Sequence, residues 1–126
     1  LQLGLIPGFA GTQRLPRLVG VPKAAEMLFT SEPITGLEAV QWGLANRAFA
    51  EEELVAKTME LAKKIAKKSP VALKAAIEML QYSKTYSYEA GVKAEAQSFG
   101  TVFVSEDAKE GIQAFIEKRE PMFKGN

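Results

Sequence analysis

From Glu51 to the end of the chain, apolar residues recur at three- and four-residue spacing, and this period limits the fold more than any other feature. Leu54, Thr58, Leu61 and Ile65 share one face of a helix that opens on Glu51, Glu52 and Glu53 and closes among Lys63, Lys64, Lys67 and Lys68. Acid at the start and base at the end both complement the helix dipole. Ser69 then caps a second helix with Pro70 at its first position, and Leu73, Ile77 and Leu80 form its stripe. Tyr88, Val92, Ala96, Phe99 and Phe103 repeat the period. Ser105 caps a last helix with Glu106 and Asp107 in its first turn and Ala108, Ile112 and Phe115 on its inner face. Lys118 and Arg119 lie at its end, and Pro121 stops it.

The first fifty residues are less regular. Leu1 to Gly11 reads as the end of an extended segment running into a loop, with Pro7-Gly8 as a turn. Thr12 is placed to cap a short helix through Leu18, closed by Gly20, and Pro22 suits the start of another. Thr35 and Glu38 have capping-box spacing for a helix carrying Leu37, Val40 and Trp42 and ending at Gly43. Leu44 to Ala50 fits a strand or a connector. The expectation is a mainly α chain in two regions, 1–50 and 51–126. Its amphipathic faces need a covering surface, in the rest of a longer protein or in other copies of the chain.

The 126 residues include no cysteine and no histidine. Disulfides, thiol catalysis, a Ser–His triad and Cys/His zinc sites are therefore excluded. No metal site is expected, because Glu51 to Glu53 project in different directions around a helix. A net charge of +1 selects neither nucleic acid nor an anionic membrane. The lysine run from Lys63 to Lys68 lacks interleaved aromatics, and no apolar stretch is long enough to span a bilayer. The cysteine-free composition suits a cytoplasmic protein. The apolar, glycine-bearing start, without a methionine, suggests a piece of a longer chain.

Leu3 to Leu15, LGLIPGFAGTQRL, is the most informative stretch. Its glycines let backbone N–H groups approach a ligand, and the helix that follows favours negative charge at its N-terminus. The same residues also suit a simple turn between a strand and a helix. The pattern is neither a P-loop nor G-x-G-x-x-G. It resembles the crotonase-family segment LG-x-x-PG-x-GGTQRL. Phe29-Thr30 to Trp42-Gly43-Leu44, running through PITGLEAVQWGL, is similar to the family's TG-x-x-I-x-A-x-x-A-x-x-x-GL segment, and Lys68-Ser69-Pro70 to its K/S-P helix start. Ser105 to Gly111 and Phe115 to Arg119 resemble its S-x-D-x-x-EG-x-x-AF-x-EKR-x-P-x-F ending. Ala10 departs from the pattern where the family has glycine, and calls for φ below zero or modest strain there.

The resemblance implies the carboxyl-terminal helical part of a crotonase-type α/β spiral fold, with 51–126 as a trimerisation region. It implies an enoyl-CoA hydratase, acting in fatty-acid β-oxidation, that adds water to a trans-2-enoyl-CoA to give a 3-hydroxyacyl-CoA. Such chemistry needs two N–H donors for the thioester oxygen and two carboxyl groups for the water and the proton. The family's two glutamates would precede Leu1, so the chain alone is expected to be inactive. Enoyl-CoA isomerase, acyl-CoA hydrolase and a non-catalytic assembly module are the alternatives. Three positions carry over. Gly8 would offer its backbone N–H toward the water. Phe99 would lie near the acyl pocket, although its spacing also suits plain packing. Lys118 would reach the adenine or phosphate region of coenzyme A, often of a neighbouring subunit, although a helix C-terminus also favours lysine. No cofactor is implied beyond the coenzyme A carried by the substrate. The implied partners are an acyl-CoA thioester and other copies of the chain, as a trimer or a dimer of trimers.

Overall fold

Every regular element in the computed structural model, which describes residues 1–126, is a helix. The chain divides into two units, residues 1–58 and 59–126. The first holds α1 (Gly11–Val19), α2 (Val21–Thr30), α3 (Gly36–Gln41) and the start of α4 (Glu51–Ala66). The second holds the end of α4, then α5 (Pro70–Tyr82), α6 (Tyr88–Phe103) and α7 (Glu106–Glu117).

The expected extended segment at the start is a series of turns. Gly4 takes φ 68° and donates its N–H to the Leu1 carbonyl at 2.9 Å. A strand needs a neighbour for its ladder, and the chain forms none. The start of α1 also differs from the sequence reading. Its N-cap is Ala10, not Thr12, with φ 57° and ψ 28°. Phe9 is left-handed too, at φ 51°. Two successive left-handed residues reverse the chain, and the Ala10 carbonyl then accepts the N–H groups of Gln13 and Arg14 at 3.0 and 2.9 Å. Thr12 falls inside the first turn and cannot cap it. The Arg14 guanidinium donates to the Phe9 carbonyl and braces the turn. A left-handed residue with a Cβ costs about 1–2 kcal/mol, so Ala10 takes the strained alternative.

Gly20, at φ 80°, ends α1 and redirects the chain so that α2 packs back on α1. Val19 and Ala24 are buried as a result. The α3 capping box forms as expected. Thr35 Oγ1 accepts the Glu38 N–H at 3.2 Å, and Glu38 Oε2 accepts the Thr35 N–H at 2.8 Å. The Thr35 backbone bond, then its hydroxyl, hold the Glu38 carboxyl below its ordinary value. Lys23 Nζ lies 5.3 Å from the Trp42 ring centroid, a cation–π contact. Leu44 to Ala50 is a connector.

In the second unit each of α5, α6 and α7 starts on a serine cap. Ser69, Ser87 and Ser105 accept the N–H groups of Ala72, Ala90 and Ala108 at 3.1, 3.3 and 3.1 Å. α5 packs on α6, and α6 touches α7. Ala114 is the one buried apolar residue of this unit. Ile77, Leu80, Phe99, Phe103 and Phe115 are exposed despite their helical register.

Candidate functional site

The last nine residues do not trail away from α7; they turn back along it. Lys118 makes the turn. It is the C-cap of α7, left-handed at φ 56° and ψ 38°. Helices commonly end in this conformation, but usually on glycine. The next residue, Arg119, is clamped to the helix it has just left. Its Nη1 and Nη2 donate to Glu110 Oε1 and Oε2 at 2.6 and 2.8 Å, and its Nε donates to Glu117 at 2.5 Å. Glu110 also accepts the Met122 N–H at 2.7 Å. The Arg119 hydrogen bonds, then the Met122 N–H, draw the Glu110 carboxyl down to about 2.

A second carboxylate holds the end of the tail. Asp107, 2% exposed, accepts the Lys124 and Gly125 N–H groups at Oδ1, at 2.8 and 3.1 Å. Its Oδ2 accepts the Ser69 hydroxyl at 2.7 Å, and its own N–H donates to the Asn126 carbonyl at 3.0 Å. Burial pushes the Asp107 carboxyl up, but the bonds from Ser69, Lys124, Gly125 and Asn126 together leave it below its ordinary value. Ser69 thus serves both the start of α5 and the start of α7. Between the two carboxylates, Phe123 lies on Gly111, where an added Cβ would meet its ring at 3.4 Å.

Docked in this way, the tail borders two grooves. One, of about 480 Å³, is apolar and includes Phe99, Phe103, Ile112, Phe115 and Phe123. The Phe99 and Phe103 rings are offset-stacked in it, 5.7 Å apart. The other, of about 770 Å³, gathers Lys67, Lys68, Lys118 and Arg119 beside Pro121 and Phe123. Arg119 is committed to Glu110 and Glu117, and Lys67 makes one exposed pair with Glu120 at 3.4 Å. Lys68 and Lys118 have no carboxylate partner, so they carry the groove's uncompensated positive charge. Phe123 lines both grooves. An apolar slot and a basic one with a lining residue in common suit a ligand with an apolar end and an anionic end.

Phe99 and Lys118, singled out in the sequence, therefore line different grooves of the same unit. Gly8 lies in the other unit, in the turn before α1. Its carbonyl accepts the Gly11 N–H at 3.0 Å, and the space where a Cβ would stand is open. Asp107, Glu110, Ser69 and Phe123 were not singled out as site residues. Their role depends on contacts across the fold, and locally they read as a cap, helix acids and a packing aromatic. No helix is long and apolar enough to cross a membrane.

The chain belongs to the enoyl-CoA hydratase/isomerase family, whose model matches residues 1–126. It is 56% identical over 126 residues to a probable enoyl-CoA hydratase of Bacillus subtilis, covering 99% of this chain and 49% of that protein. It is 42% identical over 125 residues to a 2,3-dehydroadipyl-CoA hydratase of Escherichia coli, again covering 99% and 49%. The fold matches the crystal structure of an enoyl-CoA hydratase from Bacillus anthracis with a TM-score of 0.95 at 40% identity, over 99% of this chain and 48% of that one. The helices are thus part of a crotonase-type fold, and the chain spans about half the length of the relatives it matches.

Proposed function

We propose that the chain is the carboxyl-terminal portion of an enoyl-CoA hydratase. The whole protein would add water across the 2,3 double bond of a trans-2-enoyl-CoA, as a step of fatty-acid β-oxidation in the cytoplasm. The observation that carries this reading is the pair of grooves that share Phe123 as a lining residue, one apolar with Phe99 and one basic with Lys118. A CoA thioester has that polarity: an apolar acyl chain at one end and phosphates at the other. The hydratase names of similar proteins support the same substrate class. In the reaction, hydroxyl joins the β-carbon and a proton the α-carbon, and enolate charge builds on the thioester oxygen. That charge requires preorganised N–H donors. Gly8, with open space where a Cβ would stand, is proposed to aim its N–H toward the water.

The carboxyl groups that position the water and deliver the proton are assigned to glutamates outside residues 1–126, so these residues alone would not turn over. The coenzyme A arrives with the substrate and no further cofactor is used. The exposed apolar residues of α5, α6 and α7 support a homo-oligomer, proposed as a trimer or a dimer of trimers. The test follows the loss of crotonyl-CoA absorbance. The whole protein is expected to hydrate it and residues 1–126 are not. Turnover by the purified 126-residue chain, or none by the whole protein, would refute the assignment.

A further inference from the structure

The basic groove exists only because the chain turns back at Lys118. A lysine held left-handed bears a conformational cost of about 1–2 kcal/mol, and something must keep it there. Glycine would meet the backbone need without that cost, but would remove a lysine side chain that lines the groove. Two carboxylates, Glu110 and Asp107, hold the turn. Glu110 grips both terminal nitrogens of Arg119 and the N–H of Met122, so the residues after Lys118 are tied to a helix residue two turns earlier. Asp107 ties Lys124 and Gly125 in the same way, which seats Phe123 on Gly111. Neither carboxylate lines the basic groove. Both fix the segment that does.

We infer that Glu110 is a positioning residue for Lys118: through Arg119 and Met122 it fixes the turn from which Lys118 meets an anionic, phosphate-bearing ligand. The inference rests on the proposed role of Lys118 in holding coenzyme A. Arg119 contributes geometry, not charge, to the ligand, because its guanidinium already faces two carboxylates. A planar, bidentate fork is what Arg supplies and Lys does not.

The experiment measures coenzyme A binding to the whole protein by calorimetry for wild type, Lys118→Ala, Glu110→Gln and the double variant, with helix content checked by circular dichroism. Lys118→Ala is expected to weaken binding about tenfold, the effect of one charge-assisted contact. Glu110→Gln is expected to weaken it by a similar factor at unchanged helix content. The double variant is expected to be no weaker than either single one, because a misplaced Lys118 has nothing left to lose. Arg119→Lys, which keeps the charge and loses the fork, is expected to behave as Glu110→Gln does and covers the case in which that variant misfolds. If Lys118→Ala weakens binding while Glu110→Gln and Arg119→Lys do not, or if the losses multiply in the double variant, the positioning role is wrong and the Lys118 assignment stands. If Lys118→Ala leaves the affinity unchanged, the Lys118 assignment itself falls, and the positioning role with it.

Discussion

Replacing Ser69 by alanine removes two bonds with one atom. The Ser69 hydroxyl accepts the Ala72 N–H at 3.1 Å, an N-cap interaction worth about 1 kcal/mol. It also donates at 2.7 Å to a buried carboxylate, a charge-assisted bond worth about 1.5–3 kcal/mol. The tail N–H groups continue to serve that carboxylate, so the lower end applies. The expected loss for Ser69→Ala is about 2–3 kcal/mol. At an m-value of about 1.5 kcal/mol/M, that moves a urea midpoint down by roughly 1–2 M. Circular dichroism at fixed protein concentration reads it. The internal controls are Ser87→Ala and Ser105→Ala, whose hydroxyls accept the same cap bond without the second one. Each is expected to lose about 1 kcal/mol. Ser69→Gly keeps most of the cap preference and is expected to retain most of the Ser69→Ala loss. If Ser69→Ala falls no further than Ser87→Ala, the link between the starts of α5 and α7 does not contribute, and the reasoning fails.

Lys118→Gly is expected to raise stability by about 0.5–1 kcal/mol, since left-handed strain is relieved and part of the gain returns as unfolded-state entropy. The same variant is expected to weaken coenzyme A binding; a stability loss on denaturant titration would contradict the strained turn. Acid sensitivity follows from Glu110. Its carboxyl lies at about 2 in the fold against 4.5 ordinarily, so its contribution is fully present above about 4.5 and is lost as pH falls from there toward 2. Glu110→Gln is expected to flatten stability across that window, and an acid titration with the wild-type slope would count against the clamp. Ala10→Gly is expected to stabilise the chain by about 0.5–1 kcal/mol, read from the thermal midpoint, because φ 57° suits glycine better.

The helix starts at Thr35, Ser69 and Ser105 were legible because a cap is a local device. The serine or threonine and the N–H it serves lie three residues apart. The stripe of α6 was legible for the same reason. The link from Ser69 to Asp107 was not, because 38 residues separate them and nothing near either one announces the other. The left-handed pair Phe9 and Ala10 was hidden as well. Neither residue type favours that conformation, and only the alanine in a glycine position of the family pattern hinted at it. Lys118 was found by resemblance, but its left-handed backbone, and the carboxylates that hold it, needed the fold. The extended reading of the first residues failed because strand formation depends on a neighbour, which lies outside local sequence.

The exposed faces of α5, α6 and α7 carry a consequence of another kind. Residues 1–126 by themselves leave Phe99, Phe103 and Phe115 in water, so a second molecule that covers those faces would couple their folding to mass action. Whatever binds the folded state over those faces shifts that equilibrium by an amount that grows with the logarithm of its concentration. The melting temperature of such a chain is therefore a property of the solution it is in.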